Sequence, residues 1–343
     1  MLSREWKIRA VSFVFIAVAG FVLYKVARSL IIVPKIISKN KSERISGKNE
    51  FSNVVYSSFD KDSNKITLKS SRIQETSKNS FDFSKLITTF NISPEETVTV
   101  FADKTHFISQ KSKQCEMKGN VKLSTESGLL LETEESFVDI DHKIAKGNTD
   151  IIITQDDTRF FAKKYHFDMN KKIVTLTKNV KGNLSGNLIF TEKLVVEFEK
   201  EIGKDFKNIH TFGNSSYKTN QYDLKADKEI IYKKEYAEAN GNVDLDFVKN
   251  NKNYHVNADK LTMSLQKNVI KKVTADNNLV IKVDNSTTIK GNHGILENDL
   301  LTVSGNTIIT NEKGNILCEK AILNTKTSDI RIYNSKGIIK KRH

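Results

Sequence analysis

Beyond about residue 60 the chain alternates apolar and polar residues. Val121, Leu123 and Thr125 form one such series, and Leu194, Val196 and Phe198 form another. Tyr254, Val256 and Ala258 continue the pattern, followed by Leu261, Met263 and Leu265, and by Leu279, Ile281 and Val283. A period of two sends successive side chains to opposite faces of an extended chain, so each run predicts a strand with one apolar and one polar face. Polar clusters at 126–128, 155–157, 168–172 and 249–253 separate the runs as turns. No stretch past residue 40 sustains a helical period.

A different pattern precedes the strands. Ala10 to Tyr24 is apolar apart from Ser12, and with Lys25 and Arg28 snorkelling the stretch reaches Val33. Its 24 positions exceed the ~20 that a helix needs to cross a bilayer. Residues 10–33 are therefore expected to form one transmembrane helix, after a short N-terminus of residues 1–9 carrying Arg4, Lys7 and Arg9. The rival reading is a cleaved signal peptide with Ala17-Val18-Ala19 as its cleavage site. The apolar run continues past that site through Phe21, Val22, Leu23 and Tyr24, which favours an uncleaved anchor. Lysines and arginines flank the span on both sides, so charge alone does not set its orientation. Residues 34–51 are rich in Lys, Ser and Asn without apolar periodicity, and read as a tether.

Two short signals alternate along the strand region. The first is a small residue followed by an acid and often a lysine: Ala102-Asp103-Lys104, Thr133-Glu134-Glu135, Thr191-Glu192-Lys193, Ala226-Asp227-Lys228, Ala258-Asp259-Lys260 and Cys318-Glu319-Lys320. The second is Gly-Asn, starting at Gly119, Gly147, Gly182, Gly213, Gly241 and Gly305. Nine of the fifteen glycines are followed by Asn, more than chance would give. Paired in order, and with weaker copies filling the gaps, the signals make eight units of roughly 26–36 residues, a period that marks stacked supersecondary units. Each unit has room for two strands and two turns, so about sixteen antiparallel strands are expected in a long meander. Gly-Asn suits a bulge or sharp turn that needs φ > 0.

Charge and chemistry change this picture little. The formal net charge is +14, but the lysines are spread along the chain rather than gathered in one basic block. The only Trp is Trp6, beside the apolar span, so the interleaved basic and aromatic surface of a nucleic-acid binder is missing. Cys115 and Cys318 each sit in a strand-like run. Small buried side chains are the default expectation for them, and an oxidising compartment would permit a long-range disulfide. The seven histidines are scattered without zinc spacing, and no nucleophile elbow, P-loop or dinucleotide fingerprint occurs, so neither enzyme activity nor a cofactor nor a metal is expected. Asp139 with Asp141, and Asp244 with Asp246, put two carboxylates on one strand face; solvated polar faces account for them more readily than calcium or acid–base work.

The span, the tether and the repeat together resemble the lipopolysaccharide-transport bridge family. Thr97–Asp103 (TVTVFAD), Cys115–Leu123 (CEMKGNVKL) and Gly128–Thr133 (GLLLET) carry the likeness of residues 52–190 to the membrane-anchored, LptC-like component. Asn240–Leu245 (NGNVDL), Val256–Leu261 (VNADKL) and Val303–Ile308 (VSGNTI) carry that of residues 191–343 to the soluble, LptA/OstA-like component. The resemblance implies a twisted open β-jellyroll. It also implies an inner-membrane protein with its N-terminus in the cytoplasm and its bulk in the periplasm, carrying the acyl chains of lipid A in an apolar groove. The partners it implies are lipopolysaccharide, the inner-membrane ABC transporter, and an outer-membrane translocon or further bridge subunits.

An acyl chain in water costs about 0.8 kcal/mol for each exposed CH₂. A folded sheet whose strands have period two offers apolar cover without any catalytic group. The expected inward residues are Phe107, Val121, Leu123, Leu129, Leu131 and Phe161 in the first part, and Val243, Leu245, Val256, Leu261, Met263, Leu265, Leu279 and Ile281 in the second. A one-residue slip would invert any strand's set. Edge strands near Lys65–Leu68 and Ile330–Tyr333 are expected to recruit neighbours by β-augmentation. The alternative is an anchored structural or adhesive β-repeat protein that binds other proteins or the cell wall. A filled, closed core would favour that alternative; a trough open to acyl chains would favour the carrier.

Overall fold

The computed structural model describes residues 50–339 except 60–64, 78–79, 94–95, 109–113, 127, 140, 156–157, 169, 185–186, 202–203, 234, 267–268, 285 and 313. The expected membrane span at 10–33 and residues 34–49 of the expected tether lie outside the described residues, while its last two, Glu50 and Phe51, are not tether but open the first strand. Among those residues no helix is long and apolar enough to cross a membrane. The fold is all-β. The chain divides into two compact units, one of residues up to Ser185 together with Val195–Phe206, the other of Gly186–Leu194 and Lys207–His343.

The first unit contains β1 (Glu50–Phe59), β2 (Lys65–Ser77), β3 (Ser80–Ser93), β4 (Glu96–Ile108), β5 (Gln114–Thr125), β6 (Leu130–Asp139), β7 (Ile144–Gly147), β8 (Ile151–Gln155), β9 (Thr158–Ala162), β10 (Lys164–Asp168) and β11 (Ile173–Leu184). The chain passes between units within β12 (Asn187–Glu201) and β13 (Lys204–Phe212). The expected division at residue 190 falls inside β12. The second unit continues with β14 (Ser215–Lys218), β15 (Tyr222–Ala226), β16 (Glu229–Lys233), β17 (Tyr236–Lys249), β18 (Lys252–Gln266), β19 (Val269–Val283), β20 (Thr287–Glu297), β21 (Leu300–Asn311), β22 (Gly314–Asn324), β23 (Ile330–Tyr333) and β24 (Lys336–Ile339). Sequence neighbours pair antiparallel, as the alternation predicts.

Several short strands are halves of one interrupted pass: β7 and β8 both pair with β6, and β23 and β24 both pair with β22. With β7–β8, β9–β10, β13–β14, β15–β16 and β23–β24 joined in this way, sixteen passes run from β4 to β24 among the described residues, the number expected from the repeat. Three more, β1 to β3, precede the first repeat signal.

The interruptions explain the repeat. Buried positions keep period two and then skip. In β4 they are Val98, Val100 and Ala102, then Thr105 and Phe107, a step of three. In β5 they are Cys115 and Met117, then Val121 and Leu123, a step of four. The same steps recur from Ala258 to Leu261 and from Ala239 to Val243. Strand pairing shifts register at these places, between Lys118 and Val121, Asn240 and Val243, and Ser304 and Thr307. Each step is a corner at which the strand crosses from one wall of its unit to the other.

The step of four is the Gly-Asn signal. Gly241 and Asn242 have φ of 82° and 39°, and Gly119 and Asn120 of 75° and 48°. Two successive left-handed residues bend a strand; glycine adopts that conformation freely, and Asn tolerates it because its amide can bond nearby. Here the amide reaches the acid of the other signal. The Asn120 amide donates to Asp103 at 2.8 Å, that of Asn242 to Asp227 at 2.7 Å, and that of Asn278 to Asp259 at 2.8 Å. The two signals are therefore the two sides of one corner. The small residue before each acid, such as Ala102, Ala226, Ala258 or Cys318, turns inward and is buried at the fold line, where the walls converge.

Two of the six Gly-Asn pairs depart from the expectation: neither Gly147-Asn148, where a Cβ on the glycine would sit 2.3 Å from the Tyr165 ring, nor Gly182-Asn183 is left-handed. In β11 the left-handed residues are Lys178 and Asn179 (φ 68° and 54°), four residues before Gly182-Asn183. Gly182 instead faces Phe160: a Cβ there would sit 2.3 Å from a ring carbon.

Candidate functional site: the apolar trough

Direct cross-strand pairing turns the inward positions into rows. In the first unit one row runs Leu68, Thr88, Val100, Leu123, Leu131, Ile153, Phe160 and Gly182, each facing the next across a strand pair. Beyond the corners a second row runs Phe81, Phe107, Cys115, Val138, Ala145, Phe167 and Val174. In the second unit one wall carries Leu224, Leu245, Val256, Ile281, Ile289, Ile309 and Ile316 in register. The other carries Ala237, Met263, Val273, Leu296, Leu301 and Leu323. Opposed β-branched and aromatic side chains are the stabilising unit of such ladders.

Thirteen of the fourteen expected inward residues are buried: Phe107, Val121, Leu123, Leu129, Leu131, Val243, Leu245, Val256, Leu261, Met263, Leu265, Leu279 and Ile281. Phe161 is a correction. It is half-buried and lies on the opposite face of β9, while Phe160 and Ala162 point inward. A Phe-Phe doublet reads equally well in either register, and what selects Phe160 is the room left by Gly182. The expectation also passed over Leu68, Ile73, Phe81, Phe83 and Leu86 in β2 and β3, all buried. Their signal was present in the alternation from Phe81 to Leu86, ahead of the first repeat.

The edges need a second correction. Lys65–Leu68 opens β2, which pairs on both sides, with β1 and β3. Among the described residues the first unit's unpaired edge is β1, and at the chain's end it is β23 with β24.

The walls of the second unit pack closely next to Phe247 and Tyr254, beside a more open pocket of about 320 Å³ with a mixed polar and apolar lining that includes Thr219, Tyr222, Asn253 and Asp284. Phe247, Tyr254, Val256 and Ile281 from one wall face Val273, Ala275, Leu296 and Leu301 from the other, around a cavity of only about 10 Å³. Such a space holds one water at most. Phe247 and Tyr254 stack at 5.1 Å. Burial pushes the Tyr254 hydroxyl pKa up to about 12.

Outward groups are tied to one another. His255 lies between Asp246, at 2.8 Å, and Asp244, at 3.6 Å, so these carboxylates are engaged by a cross-strand neighbour. Burial raises the Asp139 carboxyl, but hydrogen bonds from the His142 N–H and the Gln114 amide outweigh it and hold the group below the usual range. Both cysteines are free and buried, and burial raises both thiols. Among the described residues no group of three or more His, Cys, Asp or Glu side chains could hold a metal ion.

Each unit thus carries in-register apolar rows on either side of its polar corners, facing each other in the second unit. No curated protein matches the chain. A model of the LptC-related lipopolysaccharide-assembly family matches residues 11–185, just over half of the 343. Residues 186–343 lie outside the matched range. The chain belongs to the LptC-related lipopolysaccharide-assembly family.

Proposed function

We propose that this chain is a membrane-anchored periplasmic carrier that passes lipopolysaccharide from the inner-membrane ABC transporter toward the outer membrane. Its acyl chains would lie between the walls of each unit. Residues 10–33 form the single membrane span, with the N-terminus in the cytoplasm. Residues 52–190 act as the LptC-like part and residues 191–343 as an LptA/OstA-like part, so that one chain supplies two sections of the bridge. The observation that carries this reading is the pair of in-register apolar rows in each unit of a chain from a lipopolysaccharide-assembly family. The edges β1 and β23–β24 suit strand addition by neighbouring bridge proteins.

The close packing of the second unit's walls around Phe247 and Tyr254 favours the other reading, an anchored β-repeat scaffold. The carrier accommodates it only if the walls part when cargo enters. Extraction of the purified full chain separates the two. Mass spectrometry of the bound lipid should find lipopolysaccharide near one per chain. Recovery of bulk phospholipid alone, or of no lipid, would favour the scaffold.

A further inference from the structure

The two walls of the second unit meet at their tips as well as at their corners. The hairpin tip joining β17 to β18 belongs to the wall that carries Val243 and Leu245. The turns joining β20 to β21 and β22 to β23 belong to the opposite wall. Asn250, at the first tip, donates its amide to the Thr325 hydroxyl at 2.8 Å and to the Asp299 carboxylate at 3.2 Å. Lys249 donates to the Asn298 carbonyl and lies 3.8 Å from Asp299. Lys252 donates to the Ser328 hydroxyl. Lys326, on Asp299's own side, holds the same carboxylate at 2.8 Å. The contacts of Lys249, Asn250 and Lys252 join residues 49 to 76 positions apart, none of them paired in a strand ladder.

Behind these contacts, where Phe247 and Tyr254 face Leu296 and Leu301, the space between the walls is only about 10 Å³, too small for an acyl chain. Entry from the side away from the corners therefore requires these tips to separate. The contacts are polar and few; those of Lys249 and Lys252 and the Asn250–Asp299 bond are exposed, the kind that break and re-form readily in water, while the Asn250–Thr325 bond is part-buried. The corners, by contrast, are continuous backbone. The walls can part only at the end where the polar contacts lie.

We infer that the tip at Lys249, Asn250 and Lys252 is a clasp over the mouth of the second trough, shut when it holds Asn298, Asp299, Thr325 and Ser328 and released when an acyl chain enters. This rests on the trough being the cargo site. A ligand that occupies only the open state shifts the balance by its preference for that state, so fixing the clasp shut must exclude it.

The test uses the full chain carrying Lys252→Cys and Ser328→Cys, at an exposed contact of the tip, with a photoreactive residue at Met263 or, in parallel, at Leu123. Cys115 and Cys318 are buried with raised thiols, so the oxidant acts on the new pair. Purified lipopolysaccharide in detergent is the probe. Oxidation should lower the adduct yield at Met263 by about tenfold or more, leave Leu123 unchanged, and be reversed by reductant. In the parent chain Asp299→Asn should raise the rate of adduct formation at Met263. Equal yields from the oxidised and reduced forms overturn the clasp while leaving the trough. No adduct at Met263 in either form overturns the clasp and the second trough together. A pair that does not oxidise shows that the tips do not meet and overturns the clasp alone.

Discussion

Leu123→Asp should abolish transport and destabilise the first unit by about 3–5 kcal/mol or more. Leu123 is fully buried, faces Val100 and Leu131 across its two strand pairs, and sits in the middle of a long apolar row. The substitution removes its apolar contacts and leaves a carboxylate between the Val100 and Leu131 side chains. Such a group takes up a proton rather than stay ionised, which limits the loss but does not restore the packing. A domain's whole stability is only about 5–15 kcal/mol, so the change consumes a large part of it. The neighbour one step along points outward, where Lys122 pairs with Glu132 at 2.7 Å in an exposed ion pair. Lys122→Gln should lose no more than ~1 kcal/mol. Thermal unfolding of the full chain, together with lipopolysaccharide arrival at the outer membrane in cells, compares them. Equal melting temperatures for the two variants would refute the placement of β5.

Gly182→Val should destabilise the same unit by about 3 kcal/mol, at the upper end of overpacking costs. The added Cβ meets the Phe160 ring at 2.3 Å, and Phe160, only 1% exposed, has nowhere to move. Phe160→Ala alone should cost a similar ~3–5 kcal/mol by opening a cavity. Together the changes should cost clearly less than their sum, because the valine fills what the ring vacates. Additive losses in denaturant unfolding would mean that the two positions do not pack together.

The fold class was legible because period two is a local signal, and so was the number of passes from β4 onward. The corners were legible as motifs but not as geometry. Gly-Asn and the small-acid-Lys signal are far apart in sequence and become one structure only when Asn120 meets Asp103 or Asn242 meets Asp227. At Gly182 the same dipeptide does a different job, because a bulky ring lies across from it and the bend falls to Lys178 and Asn179. Phe161 was misplaced for a related reason: two adjacent phenylalanines leave the register to be set by the facing strand. Strands β1 to β3 lack the repeat signals, so their inward residues went unnamed although Phe81 and Phe83 alternate plainly. The contacts of Asn250 with Asp299 and Thr325 were out of reach of any local pattern, since they join turns on opposite walls.

The central claim is that cargo travels between the walls and not on their outer faces. Photocrosslinking in cells from Leu123, Leu131 and Met263, with outward Lys122 as control, tests it most directly. The carrier predicts lipopolysaccharide adducts at the three inward positions and none at Lys122. Adducts at no inward position, or at Lys122 as often as at Leu123, would contradict it.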